Sequence, residues 1–329
     1  VRALRARRGA ALIAAAGSVA VIACLAACAG PVTSPAKLTE ATAVPAATSP
    51  VVKSPVVKGT ARGPVPAATA NRAASQHPFC PPLPKGGLKL NPKFPLPRVP
   101  RHAIVFHSSS PDPGCAYVMG FSDVRKQFGA ALLGPALVNL DIGLRVVHTT
   151  TGSFEEDSAG QFDFQACRTC PIVHGLPPAR ATFLAFGFEP ISATLQLTEV
   201  GTLNLIGQGT SFALTRNTAW SLMELHVSDV KVNGKPLNVG PRCRTKRPIL
   251  IKLTGLGGGS SGYSLQLGGR LAGMVSIPAF TGCGVTEDLD PLITGTVSGP
   301  GNYNLFTQGP LCTILDGQGC PPRIPKPLR

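Results

Sequence analysis

The chain has 329 residues and a formal net charge of +15, yet only 14% of its residues are charged and 5% are aromatic. The charge is uneven: residues 29–101 hold ten Lys or Arg against Glu40 alone, whereas residues 102–329 hold seventeen against fifteen acids. A nearly neutral body argues against nucleic acid as a partner, because a nucleic-acid-binding domain carries its cations on the fold. A basic stretch poor in large apolar side chains excludes a core before about residue 100.

In chain order, Arg2, Arg5, Arg7 and Arg8 precede an apolar run from Ala10 to Ala23, with no further charge until Lys37. This is the layout of an export signal whose basic end stays cytoplasmic. Val21-Ile22-Ala23-Cys24 and Leu25-Ala26-Ala27-Cys28 both end in cysteine. The second, with leucine three places before the cysteine, resembles a bacterial lipobox. The resemblance implies that residues 1–27 are a signal peptide, that Cys28 is lipidated, and that the chain is anchored at the extracellular side of the cell membrane. An uncleaved spanning helix is the other reading, since about 20 apolar residues cross a bilayer.

Residues 28–100 are rich in Pro, Ala and Lys and contain the repeat Ser49-Pro50-Val51-Val52-Lys53, Ser54-Pro55-Val56-Val57-Lys58. Such a composition predicts a disordered, extended tether. Its charge suits anionic cell-wall polymers or lipid head groups as partners, or simply keeps the linker solvated.

From residue 101 the pattern alternates with period two, the mark of strands with one apolar face. The clearest run sets Val138, Leu140, Ile142, Leu144 and Val146 on one side, with Asn139, Asp141, Gly143 and Arg145 on the other. Further strands are predicted at Phe162/Phe164, Ile191–Leu197, Met223–Val227, Ile249–Leu253, Leu265/Leu267 and Leu271–Ile277. Asn233-Gly234 predicts a two-residue hairpin. The only weak helical stretch is Asp123 to Leu133. The expectation is an all-β domain over 101–315, a β-sandwich (one large or two small, with a possible seam near 207–217) or a barrel-like fold. A Pro-rich basic tail follows at 316–329.

Beyond Cys24 and Cys28, eight cysteines remain: Cys80, Cys115, Cys167, Cys170, Cys243, Cys283, Cys312 and Cys320. An even set in an exported chain predicts up to four disulfides. Cys80 with Cys115 and Cys283 with Cys312 have local logic; the rest stays open. Cys167-Arg168-Thr169-Cys170 has redox or metal spacing, but a strand before it, Pro171 after it and the lack of a second such pair favour a structural disulfide.

Gly258-Gly259-Ser260-Ser261-Gly262 matches a nucleophile elbow as a string. The strand predicted after it and the absence of a histidine beyond His226 argue for a glycine loop instead. Glu155-Glu156-Asp157 and Glu287-Asp288-Leu289-Asp290 are predicted loop acids. Glu287, Asp288 and Asp290 are weak calcium candidates, and no other cofactor is indicated. Asp157 and Asp288 are the carboxylates an exported hydrolase would use.

Two segments, Asp229–Gly234 through Val239–Thr245 and Gly282–Pro291 through Ser298–Cys312, resemble exported proteins of unknown function from high-GC Gram-positive bacteria. This resemblance implies no activity. The functional expectation is a lipid-anchored surface domain that serves the envelope as a binding or structural module. The alternatives are the hydrolase and a transporter's substrate-binding lipoprotein, against which the scarcity of helices counts.

Overall fold

The computed structural model describes residues 79–166, 169–210, 215–258, 262–315 and 317–326, and these belong to one compact unit. The lipobox, Cys28 and most of the predicted tether lie outside the described residues. Sixteen strands build one antiparallel sheet. β1 (Ile104–His107), β2 (Pro113–Val124) and β3 (Gly129–His148) come first, with a 3-10 turn at Arg125–Gln127. Then follow β4 (Phe154–Phe164), β5 (Val173–His174), β6 (Ala179–Ala185), β7 (Glu189–Glu199), β8 (Leu203–Gly209), β9 (Thr215–Val232) and β10 (Lys235–Pro236). β11 (Arg244–Thr245), β12 (Ile249–Leu256), β13 (Gly269–Ile277), β14 (Phe280–Thr281), helix α1 (Asp290–Val297), β15 (Gly299–Gln308) and β16 (Cys312–Thr313) complete the order.

The sheet closes on itself. Pairing runs β2–β3–β4–β8–β9–β12–β13–β15 and back to β2. A ring of eight strands has an interior just wide enough to be filled by side chains or to hold one small ligand. β9 is long enough to serve two neighbourhoods. Its first half pairs with β8 and β12, while its second half, Met223–Val232, pairs with β7, and β7 in turn pairs with β6. β6 lies against the start of β3, where a Cβ on Gly129 would meet Phe183 at 2.9 Å and the Thr182 carbonyl oxygen at 3.2 Å. The interior therefore extends past the ring, walled at the far end by β6 and β7.

The predicted strands at 138–146, 162–164, 191–197, 223–227, 249–253 and 271–277 all fall within observed ones. Asn233-Gly234 turns as predicted, with φ of 49° and 77° and Lys235 opposite Val232. Gly207-Gln208-Gly209, the expected seam, runs inside β8 and pairs with Thr215–Asn217 of β9.

Four expectations change. Asp123–Leu133 is not helical; it is the end of β2, the 3-10 turn and the start of β3. Leu265 and Leu267 do not extend a strand. Ser264 and Gly268 bridge a tight turn in which Ser264 Oγ accepts from Leu267 N, so Leu267 points outward. Glu155-Glu156-Asp157 lie in β4 rather than in a loop. Residues 79–100, assigned to the tether, belong to the fold.

Those last residues cross the outside of the ring. Asp141, Ala159, Asn204, Trp220 and Lys252 stand side by side on β3, β4, β8, β9 and β12. Leu88 N donates to Asp141 Oδ2 at 3.0 Å, and Asn91 exchanges bonds with Asn204 at 2.8 and 3.1 Å. Phe94 stacks on Trp220, and the Lys252 ammonium sits 4.6 Å from the Trp220 ring centroid. The strap thus covers Asp141, a buried polar position that period-two patterning reads as solvent-facing, and Asn139 beside it is buried too, donating to Asp163 of β4.

Three disulfides join described cysteines: Cys80–Cys115, as expected, Cys243–Cys283 and Cys312–Cys320. The expected Cys283–Cys312 link is not made. Cys283 follows β14, whose partner strand β11 follows Cys243, whereas Cys312 lies opposite Cys115 on the other wall. Cys170 is also disulfide-bonded, and Cys167 lies outside the described residues.

Candidate ligand cavity

Alternation along β2, β7, β9, β12, β13 and β15 sends one set of apolar side chains inward. Beyond the ring they fail to meet, leaving a cavity of about 190 Å³. Its walls include Phe183, Leu195, Leu225, Val227, Ile277 and Phe306. Space exists because three wall positions carry alanine: Ala131 on β3, Ala185 on β6 and Ala193 on β7. A cavity lined in this way stays dry and accepts apolar guests. Leu176, Ile251 and Phe306 also line a smaller space of about 80 Å³ nearer the ring. There Tyr263 Oη donates to Gln308 Oε1 at 2.7 Å, and complete burial pushes the phenol pKa up.

Two side chains of the cavity wall, Phe186 and Leu292, are exposed. They mark its mouth. Phe186 belongs to the β6–β7 turn, where Phe186 and Gly187 have φ of 54° and 81°. These match the values at Asn233-Gly234, but with phenylalanine where such turns favour Asn, Asp or Gly. Phe128, after the 3-10 turn, is also left-handed at φ 46°. A bulky side chain in that region costs about 1–2 kcal/mol. The side chains recover little by packing, because Phe128, Phe186 and Phe188 are 78%, 68% and 73% exposed.

The opposite end of the ring is polar. A space of about 230 Å³ is lined by Asp112, Glu156, Ser158, Asn217 and Gln266 among others, with no basic side chain among the described lining residues. Burial, with Asp112 and then Asp157 nearby, raises the Glu156 carboxyl above its ordinary value. Asn217 Nδ2 is buried without a partner.

The two acid clusters lie on separate elements. In β4, Glu155 and Asp157 face outward and both accept from the Arg145 guanidinium of β3, with Gln208 Nε2 donating to Glu155 as well. Asp157 is wholly buried, and burial raises its carboxyl against the pull of Arg145. Near α1, Asp290 accepts from Cys283 N at 2.7 Å and Gly282 N at 3.2 Å, while Asp288 Oδ1 accepts from Asp290 N at 2.9 Å. Glu287 is exposed. Asp288 and Asp290 thus shape the turn into α1.

The Sγ atoms of Cys80, Cys115 and Cys312 lie within 4.8 Å of one another, but all three are oxidised and offer no thiolate. Residues 258 and 262 flank undescribed positions, so the serines of the glycine loop lie outside the described residues. No described helix is long and apolar enough to cross a membrane.

The apolar cavity and its mouth were missed from the sequence. The legible signal was small residues in strand register, Ala181 opposite Ala193 with Ala185 on the same face of β6, and a Phe-Gly pair between two β-patterned runs. Comparison with protein-family models, with curated proteins and with solved structures gives no match.

Proposed function

We propose that the domain is a binding module of the cell envelope that takes a lipophilic molecule, an acyl or similar chain, into the cavity between β3, β6, β7 and β9. The carrying observation is the cavity of about 190 Å³ with almost wholly apolar walls. At about 24 cal/mol per Å³, a void of that size unfilled lowers stability by about 4.5 kcal/mol, a large fraction of the 5–15 kcal/mol usual for a domain. An occupant offsets that loss at about 0.8 kcal/mol per buried methylene. The lipobox-like segment supports an address where such molecules are abundant.

The test is titration of the oxidised full chain with an environment-sensitive fluorescent fatty acid in vesicle-free buffer. Saturable binding with a blue shift is expected, and Ala193→Leu should weaken it at least about tenfold while the urea midpoint stays level or rises. A folded chain that binds no probe, or equal affinity in the variant, refutes the proposal.

A further inference from the structure

Around the cavity mouth lie the most exposed aromatic side chains among the described residues. Phe186 and Phe188 flank Gly187 at the β6–β7 turn with ring centroids 6.4 Å apart, and a Cβ on Gly187 would lie 3.8 Å from the Phe128 ring. Three phenylalanines therefore form one cluster, with exposed Leu292 of α1 on the cavity rim nearby. Two of them hold left-handed backbone. The Asn233-Gly234 turn meets the same backbone demand with favoured residues, so the fold itself does not require phenylalanine at position 186.

The charges around the cluster are mainly basic. Arg125 and Lys126 precede Phe128, and Lys126 Nζ donates to Gly295 O of α1 at 3.2 Å. On the other side Asn233 N bonds to Pro190 O, which brings the β9–β10 turn with exposed Lys231 and Lys235 beside β7. The acids at this end are Glu189, within the cavity wall, Asp229, and Asp123 at the end of β2, whose carboxylate accepts from Tyr303 N.

We propose that Phe128, Phe186 and Phe188 insert into the apolar layer of a lipid bilayer with anionic head groups and hold the cavity mouth against it. The purpose rests on the cavity reading above: a lipophilic ligand reaches the interior without crossing water when the mouth abuts the layer that stores it. Exposed aromatics flanked by lysine and arginine are the composition that partitions at such a surface. Asp123, Glu189 and Asp229 are outnumbered by Arg125, Lys126, Lys231 and Lys235.

The experiment places a reporter on the tip of the full oxidised chain. Phe188→Trp is mixed with phosphatidylcholine vesicles, with and without phosphatidylglycerol, whose acyl chains carry bromine. The signal of Trp220 in the unsubstituted chain is subtracted. Quenching of the new tryptophan, stronger with phosphatidylglycerol and weakened by salt, is expected. A second variant, Phe128→Asn with Phe186→Asn, should lower vesicle partitioning of the domain end, read as loss of that quenching, by about tenfold. Its thermal midpoint should hold or rise, because asparagine suits positive φ; lost quenching is then not lost fold.

An unquenched tryptophan overturns the proposal, whether or not other parts of the chain adhere to vesicles. Concentration-dependent dimerisation in sedimentation that vanishes in the double variant overturns it in favour of a second copy as occupant. The two readings fail separately. Fatty-acid binding in vesicle-free buffer without bromine quenching leaves the cavity reading standing and removes the docking surface.

Discussion

Glu199, the last residue of β7, tests the electrostatics of the interior. Its Oε2 accepts from Phe162 N at 2.9 Å, and its Oε1 is buried without a partner. Burial pushes its carboxyl up to about 8, against the pull of the Phe162 amide and with Asp163 adding to the rise. The folded value thus lies above the ordinary 4.5. Between these values the folded state keeps a proton that the unfolded state has released, so stability falls as pH rises from about 4.5 to about 8 and stays low beyond. At 1.36 kcal/mol per unit, Glu199 removes about 3–4 kcal/mol between pH 5 and pH 8. Glu199→Gln keeps an acceptor for Phe162 N and does not ionise. The two proteins should have nearly equal urea stability at pH 5, and the variant should be the more stable by about 3–4 kcal/mol at pH 8, with disulfides intact and circular dichroism as readout. All other titrating groups are shared. Parallel pH profiles would therefore refute the assignment.

Arg145→Met removes the one cation bonded to Glu155 and Asp157. Leaving buried charges unpaired costs about 3–5 kcal/mol, and both carboxyls, already raised by burial, escape it by protonation. The thermal midpoint should drop sharply at pH 7 and much less at pH 4; an equal drop at both argues against the charge explanation. Asp141→Ala deletes the acceptor of both Leu88 N and Asp112 N. Loss of about 2–3 kcal/mol is expected, together with faster hydrogen exchange at Leu88 and Asn91. Unchanged exchange at Asn91 would show that the strap is held without Asp141.

Strands could be read wherever a strand has one apolar face and its ends are marked by turn residues. The β3 run and the Asn233-Gly234 turn satisfy both conditions, and both are found. The acids at 155–157 were misplaced because β4 is polar on alternate sides for two unrelated reasons. Glu155 and Asp157 meet Arg145 from the neighbouring strand, and Glu156 lines the polar end of the ring. No local pattern reveals a partner ten residues away across a ladder. The strap escaped for the converse reason. Residues 84–96 contain three prolines and no period, and they are ordered by single residues, Leu88, Asn91 and Phe94, fitting a surface that exists only once the ring has closed. The cavity is a deficit of volume summed over several strands, and a deficit leaves no motif.

Closure of the ring also sets a timetable. β2 pairs with β15 and β16, so Val118 meets Gln308 and Cys115 meets Cys312 only after nearly the whole chain has emerged. Until then β2 presents one edge to whatever is nearby, and pairings this remote in sequence form late. The cysteines obey a different clock. Cys80 and Cys115 are 35 residues apart, Cys243 and Cys283 are 40, and Cys312 and Cys320 only 8. Each bridge can be sealed by a segment just synthesised. When β16 finally docks, Cys80 Sγ comes within 3.7 Å of Cys312 Sγ, close enough for exchange had any thiol been left free. Oxidation in order of emergence therefore protects the correct pairing, and a chain reduced and reoxidised as a whole loses that protection.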